Sequence, residues 1–132
     1  MDVLRKNTDY ALRIMGNLSG NYGRGAVSVR MLAKEEEVSY QFACKILQKL
    51  QGVGLVESAM GPTGGYRLSR EPKQITMLDV IRAMQGDIAI NRCTKGSDNC
   101  PRRSKCGVSG KLCQLQQRME DFLVDVKLQD LL

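Results

Sequence analysis

The chain has 132 residues, which suits one domain or one core with an appendage and is enough to bury a core without disulfides. Twenty Lys and Arg against 14 Asp and Glu give a net charge of +6, which favours a polyanionic partner, and there is no His or Trp. The lack of His excludes histidine base catalysis and histidine metal ligation within this chain, so a non-enzyme is expected. No apolar run approaches the roughly 20 residues of a membrane span, and residues 1–18 lack the apolar centre of a signal peptide. The expectation is a protein of the bacterial cytoplasm with no membrane partner.

The first helix is predicted over residues 9–18, with Thr8 as its N-cap and Ala11, Leu12, Met15 and Leu18 as its buried stripe. Gly20, Gly23 and Gly25 break it. Ser28 reads as the cap of a second helix through Glu36, with Val29, Leu32 and Ala33 inward. A third helix spans residues 39–51. At 100° per residue, Phe42, Ala43, Ile46, Leu47 and Leu50 fall on one side. Gln41, Cys44, Lys45 and Gln48 fall opposite, with Lys49 towards the edge. A face of amides and a cation without a carboxylate suits the DNA major groove, where Gln bonds adenine and Lys reaches guanine or phosphate. An ordinary solvated helix face is the alternative.

The next elements favour DNA. Residues 55–60 and 66–69 read as strands joined by the turn Gly61-Pro62-Thr63-Gly64-Gly65, a wing directly after a helix-turn-helix. Its glycines are read as letting the backbone approach phosphate, and Tyr66 and Arg67 as reaching the minor groove or backbone. The candidate DNA contacts are Ser28, Ser39, Tyr40, Gln41, Cys44, Lys45, Gln48 and Lys49 on the helices. Thr63, Gly64, Gly65, Tyr66 and Arg67 are the candidates in the wing. A fourth helix over residues 77–85 opens with the capping-box pattern Thr76-x-x-Asp79. The last helix, residues 110–126, carries Leu112, Leu115, Met119, Phe122 and Val126 at 3-4-3-4 spacing, a short seam for a partner protomer or for internal packing. The fold class is therefore mainly α with a small β-hairpin wing: a winged helix-turn-helix plus a long C-terminal dimerisation helix. Its divisions are 1–85 for DNA binding, 86–109 for a cysteine-rich loop and 110–132 for the dimerisation helix and tail.

That loop concentrates the thiols. Four of the five cysteines, Cys93, Cys100, Cys106 and Cys113, are spaced C-x6-C-x5-C-x6-C. In a reducing compartment such a cluster signals metal or redox function. Over residues 92–111, Arg92, Lys95, Arg102, Arg103, Lys105 and Lys111 face only Asp98 as an acid, and would offset the negative charge of thiolates or of a cluster, or else contact phosphate. Spacings of five and six fit poorly with the paired ligands of structural zinc, leaving zinc the weaker metal. Cys44 lies on the polar side of the third helix, away from this group. A small electron-transfer iron–sulfur protein is disfavoured by the wing and by the absence of a C-x2-C-x2-C run.

The chain resembles the Rrf-type winged-helix regulators, which include iron–sulfur-cluster and nitric-oxide-sensitive members. The matching residues are Thr8-Asp9-Tyr10-Ala11-Leu12-Arg13, Lys45-Ile46-Leu47-Gln48-Lys49-Leu50, Gly54-Leu55-Val56 and Gly61-Pro62-Thr63-Gly64-Gly65-Tyr66-Arg67-Leu68, with Cys93, Cys100 and Cys106. The resemblance implies a homodimer on a pseudo-twofold double-stranded DNA operator. It also implies an iron–sulfur cluster, 4Fe–4S ahead of 2Fe–2S, held by Cys93, Cys100 and Cys106. Ser109 stands where the iron–sulfur branch has a histidine, which leaves the fourth ligand open. Asp9 from the partner protomer matches the nitric-oxide-sensitive branch, and Cys113 is the chemically better match to iron–sulfur ligation. Asp9 as a helix-terminal carboxylate and Cys113 as a small buried hydrophobe are the structural alternatives. The implied function is a regulator, most simply a repressor, whose DNA affinity depends on a cluster sensing iron, nitric oxide or redox state. A cluster-free regulator switched by thiol oxidation or a partner protein is the alternative.

Overall fold

Serine caps and apolar stripes set the first half of the molecule. In the computed structural model, which describes residues 3–94 and 105–132, α2 (Val29–Glu35) and α3 (Tyr40–Gly52) each begin at a serine. Ser28 Oγ accepts from Met31 N and Ser39 Oγ accepts from Phe42 N, both at 3.2 Å, which satisfies N–H groups the helix leaves unpaired. Ala43, Ile46, Leu47 and Leu50 of α3 are buried against Leu32 and the inner face of α1. Phe42 departs from the expected stripe and is 48 % exposed. It sits at the margin of a 3.6-residue repeat, where periodicity does not decide between core and solvent.

Helix α1 (Lys6–Gly20) starts three residues earlier than expected. Thr8 is not its cap: the residue is fully buried inside the first turn, and its hydroxyl donates to Gln85 Oε1 at 2.6 Å. The same oxygen accepts from Arg5 N at 2.9 Å, so a distant glutamine replaces the local cap.

Strands β1 (Val56–Ala59) and β2 (Gly65–Leu68) pair antiparallel from Val56↔Leu68 to Ala59↔Gly65, the first shorter than expected and the second one residue earlier. The hairpin is seated on the body by paired Val27–Tyr66 backbone bonds of 2.8 Å. A Cβ at Gly65 would collide with the Val27 carbonyl, and its φ of 150° is one that L residues rarely adopt. Here the glycine serves close packing of the wing on its own chain.

Helix α4 (Met77–Gln85) has the expected capping box, Thr76 with Asp79. Helix α5 (Gly107–Asp125) begins three residues earlier than expected. After it the chain turns back: Met77 N donates to Val126 O at 2.8 Å, and Leu128 N to Ile75 O at 3.0 Å. Leu128 is fully buried, so the C-terminal turn belongs to the main core. On α5, Leu123 is buried and Met119 packs against that core, but Leu115 and Phe122 are 50 % and 67 % exposed. The expected seam is thus not closed within one chain at these two positions. With Val3, Leu4, Ile88 and Arg118 they line an open, mainly apolar groove. Among the described residues, no helix is long and apolar enough to cross a membrane.

Candidate nucleic-acid interface and thiolate site

Capping places the predicted DNA-facing residues. Because Ser39 fixes the start of α3, Gln41, Lys45 and Gln48 come out exposed along one side, and Cys44 half-buried. Tyr40 is 50 % exposed, with the Arg30 guanidinium 5.3 Å from its ring centre. Arg30, Tyr40 and the unexpectedly exposed Phe42 extend the polar side of α3 with a cation and two aromatic rings. Sequence reasoning missed Arg30 because its stacking partner is on another helix.

Three expected contacts have other engagements. Lys49 Nζ donates to the Met84 carbonyl of α4 at 2.8 Å. Arg67 Nε pairs with Glu57 Oε1 across the hairpin at 2.7 Å. Tyr66 is half-buried and packs against the core. Thr63 is exposed at the wing tip and Gly64 half-buried beside it, while Met60, at 94 %, is the most exposed large apolar residue of the described chain.

The Cys113 thiol meets the Cys93 backbone where α5 packs on the segment after α4. Cys93 is buried in a short 3-10 turn, Arg92–Thr94. The Cys113 thiol, on α5, lies 4.0 Å from the Cys93 carbonyl oxygen. Cys106 is half-buried and is the N-cap residue of α5, where the helix dipole favours negative charge. Ser109 is buried one turn further on. Cys100 lies outside the described residues. Among the described residues no group of three or more Cys, Asp and Glu is close enough to hold a metal. Asp9 is instead on α1, its carboxylate 63 % exposed and 3.5 Å from Arg13. Thiolate donors fit an iron–sulfur cluster in their chemistry, and Cys106 stands at a helix N-terminus. Buried Gln116, which no sequence pattern singled out, bonds the backbone of Ile88 and Ile90 and so holds the segment leading to Cys93.

The chain is similar to known proteins over nearly its whole length. The model of the Rrf2 family, described as iron-dependent transcriptional regulators, matches residues 4–132. Protein aau3 of Rhizobium meliloti (strain 1021) is 33% identical over 129 residues, spanning 97% of this chain and 83% of that protein. The HTH-type transcriptional regulator NsrR of Bacillus licheniformis is 29% identical over 130 residues, 98% of this chain and 91% of that one. The solved structure of CymR, the global cysteine regulator of B. subtilis, superposes with a TM-score of 0.82 at 27% identity, covering 99% of this chain and 96% of that one.

Proposed function

The chain belongs to the Rrf2 family of transcriptional regulators, which are not enzymes, and on that premise we propose that it is a cytoplasmic repressor controlled by an iron–sulfur cluster. Residues 1–85 bind operator DNA, residues 86–109 carry the cluster, and residues 110–132 form the dimer contact and tail. The Cys113 thiol against the Cys93 backbone, with Cys106 as the N-cap residue of the same helix α5, supports the reading most, because α5 there adjoins the segment leading from the DNA-binding unit. Exposed Leu115 and Phe122 supply an apolar face for a second copy. A dimer sets two recognition helices against half-sites about one DNA turn apart.

Cys93, Cys100 and Cys106 hold the cluster in this proposal, with 4Fe–4S preferred to 2Fe–2S. When bound, it supplies an iron centre that reacts with oxidants or nitric oxide. Asp9 from the second protomer is the fourth ligand, an oxygen donor that leaves one iron labile. Cys113 is the rival, favoured by its closeness to Cys93. It is disfavoured by lying seven residues beyond Cys106, about 10 Å along a helix. The similarity to a cysteine regulator keeps a cluster-free, thiol-switched protein as the second reading.

Anaerobic purification of the wild type and of a Cys93→Ala, Cys100→Ala, Cys106→Ala variant tests the metal site. The wild type should carry iron with visible absorbance, and the variant should lose both. A variant that keeps its iron and colour would end the assignment of these ligands. A wild type that takes up no iron yet binds DNA would leave the thiol-switched reading.

A further inference from the structure

The short segment between α4 and Cys93 is held by side chains that belong to other elements. At its upstream end, Lys49 of α3 donates to Met84 O at 2.8 Å. Helix α4 terminates there with carbonyls that have no partner inside the helix, and its dipole favours a cation at that pole. The next residue, Gln85, accepts from Arg5 N and the Thr8 hydroxyl and donates to Val3 O at 2.8 Å. One helix end thus anchors both the recognition helix and the start of α1. Downstream, Gln116 of α5 is 7 % exposed; its Oε1 accepts from Ile90 N at 3.0 Å and its Nε2 donates to Ile88 O. Ile88 and Cys93 are buried, only 3 % and 4 % exposed.

Only residues 86–92 separate Gln85 from Cys93, and Gln116 grips them midway. The path from Cys93 to the end of α4 therefore runs through the bonds of Gln116. Gly86, Asp87 and Asn91 are exposed, so a displacement of Cys93 passes through these hydrogen bonds rather than through close packing.

We propose that Lys49, Gln85 and Gln116 are positioning residues of one hydrogen-bonded linkage, through which the state of the cysteine loop sets the placement of α3. Its use as a signalling route rests on reading the loop as the sensor; the linkage itself does not require a cluster. Lys49 then acts on α4 and makes no DNA contact.

The test is a double-mutant cycle read by amide hydrogen exchange, without iron or DNA, on the wild type, Lys49→Met, Gln116→Met and the double variant. Lys49→Met keeps the aliphatic stem and removes the ammonium. Gln116→Met should speed exchange at residues 45–52 several-fold, about the population change of one hydrogen bond, relative to residues 11–18. In the Lys49→Met background the same substitution should leave residues 45–52 unmoved. Additive effects, or no effect on α3 in either background, would overturn the linkage. A purely structural weakening moves residues 11–18 and 45–52 together and also counts against it. If Gln116→Met does not fold, Gln116→Asn, which shortens the reach to Ile88 and Ile90, is read the same way. A second readout uses a duplex selected from a random pool by the wild-type protein, titrated across salt concentrations. Lys49→Met should keep the wild-type slope of log affinity against log salt; a slope shallower by about 1.8, from two lysines per dimer, would make Lys49 a phosphate contact and refute its positioning role. Both readouts stand if the wild type takes up no iron, an outcome that sinks only the cluster reading.

Discussion

Residues 27–69 and residues 86–113 are held by different physics. The first stretch has two serine-capped helices, a stripe from Leu32 to Leu50 that is almost wholly buried, and a hairpin seated by backbone bonds to Val27. Each piece is specified by its neighbours in sequence. The second stretch has few buried apolar side chains in its described part, chiefly Ile88 and Cys93, and depends on the amide of one distant glutamine. A region built from local rules folds to a fixed surface, which suits reading DNA. One tied down by a few polar bonds and thiols is easily rearranged, which suits sensing.

The largest effect sharpening this contrast belongs to the core of α3. Leu47→Ala should cost about 2–5 kcal/mol in urea unfolding, whereas Phe42→Ala, at a half-exposed position, should cost about 1 kcal/mol or less. Equal losses would return Phe42 to the core. Gly65→Ala comes next, destabilising by about 1–3 kcal/mol because the wing must lift off Val27 to admit a Cβ. An unchanged urea midpoint would show that the wing is not seated there. Gln41→Ala or Lys45→Ala should leave stability alone and weaken binding to a selected duplex by about 1–3 kcal/mol if each makes a bidentate base contact. Binding that stays equal to wild type on every sequence would strip α3 of its reading role. The smallest effect is Glu57→Ala, under about 1 kcal/mol of stability, since the Arg67–Glu57 pair is half-exposed and screened. Releasing Arg67 should modestly strengthen DNA binding at low salt, and a loss of binding would show that Glu57 positions the wing.

The same division explains what could be read from sequence. Helices α2, α3 and α4 and the hairpin announce themselves by caps, periodicity and glycines, and the structure agrees with them to within a few residues. Thr8 misled because a threonine before an apolar stripe looks like a cap, while its actual partner, Gln85, is 77 residues away. Lys49 is exposed at the edge of α3 as its spacing predicts, but its bond to Met84 is not legible in the sequence because that acceptor belongs to another helix. Gln116 was invisible, since a glutamine on an amphipathic helix carries no local sign of burial. The cysteines were legible as a set by type and spacing. That Cys113 reaches the Cys93 backbone depends on how α5 packs on residues 88–94, which no spacing rule encodes.

The central claim is that the cysteine region controls the DNA-reading region, and one measurement addresses it directly. The protein is reconstituted anaerobically with ferrous iron and sulfide, and its affinity for a duplex selected by that preparation is measured before and after the iron is removed by a chelator. The account predicts that affinity falls at least tenfold, about 1.4 kcal/mol, on removal, and that the Cys93→Ala, Cys100→Ala, Cys106→Ala variant shows the weak value throughout. Equal affinity of the iron-loaded and iron-free protein for the same duplex would contradict it.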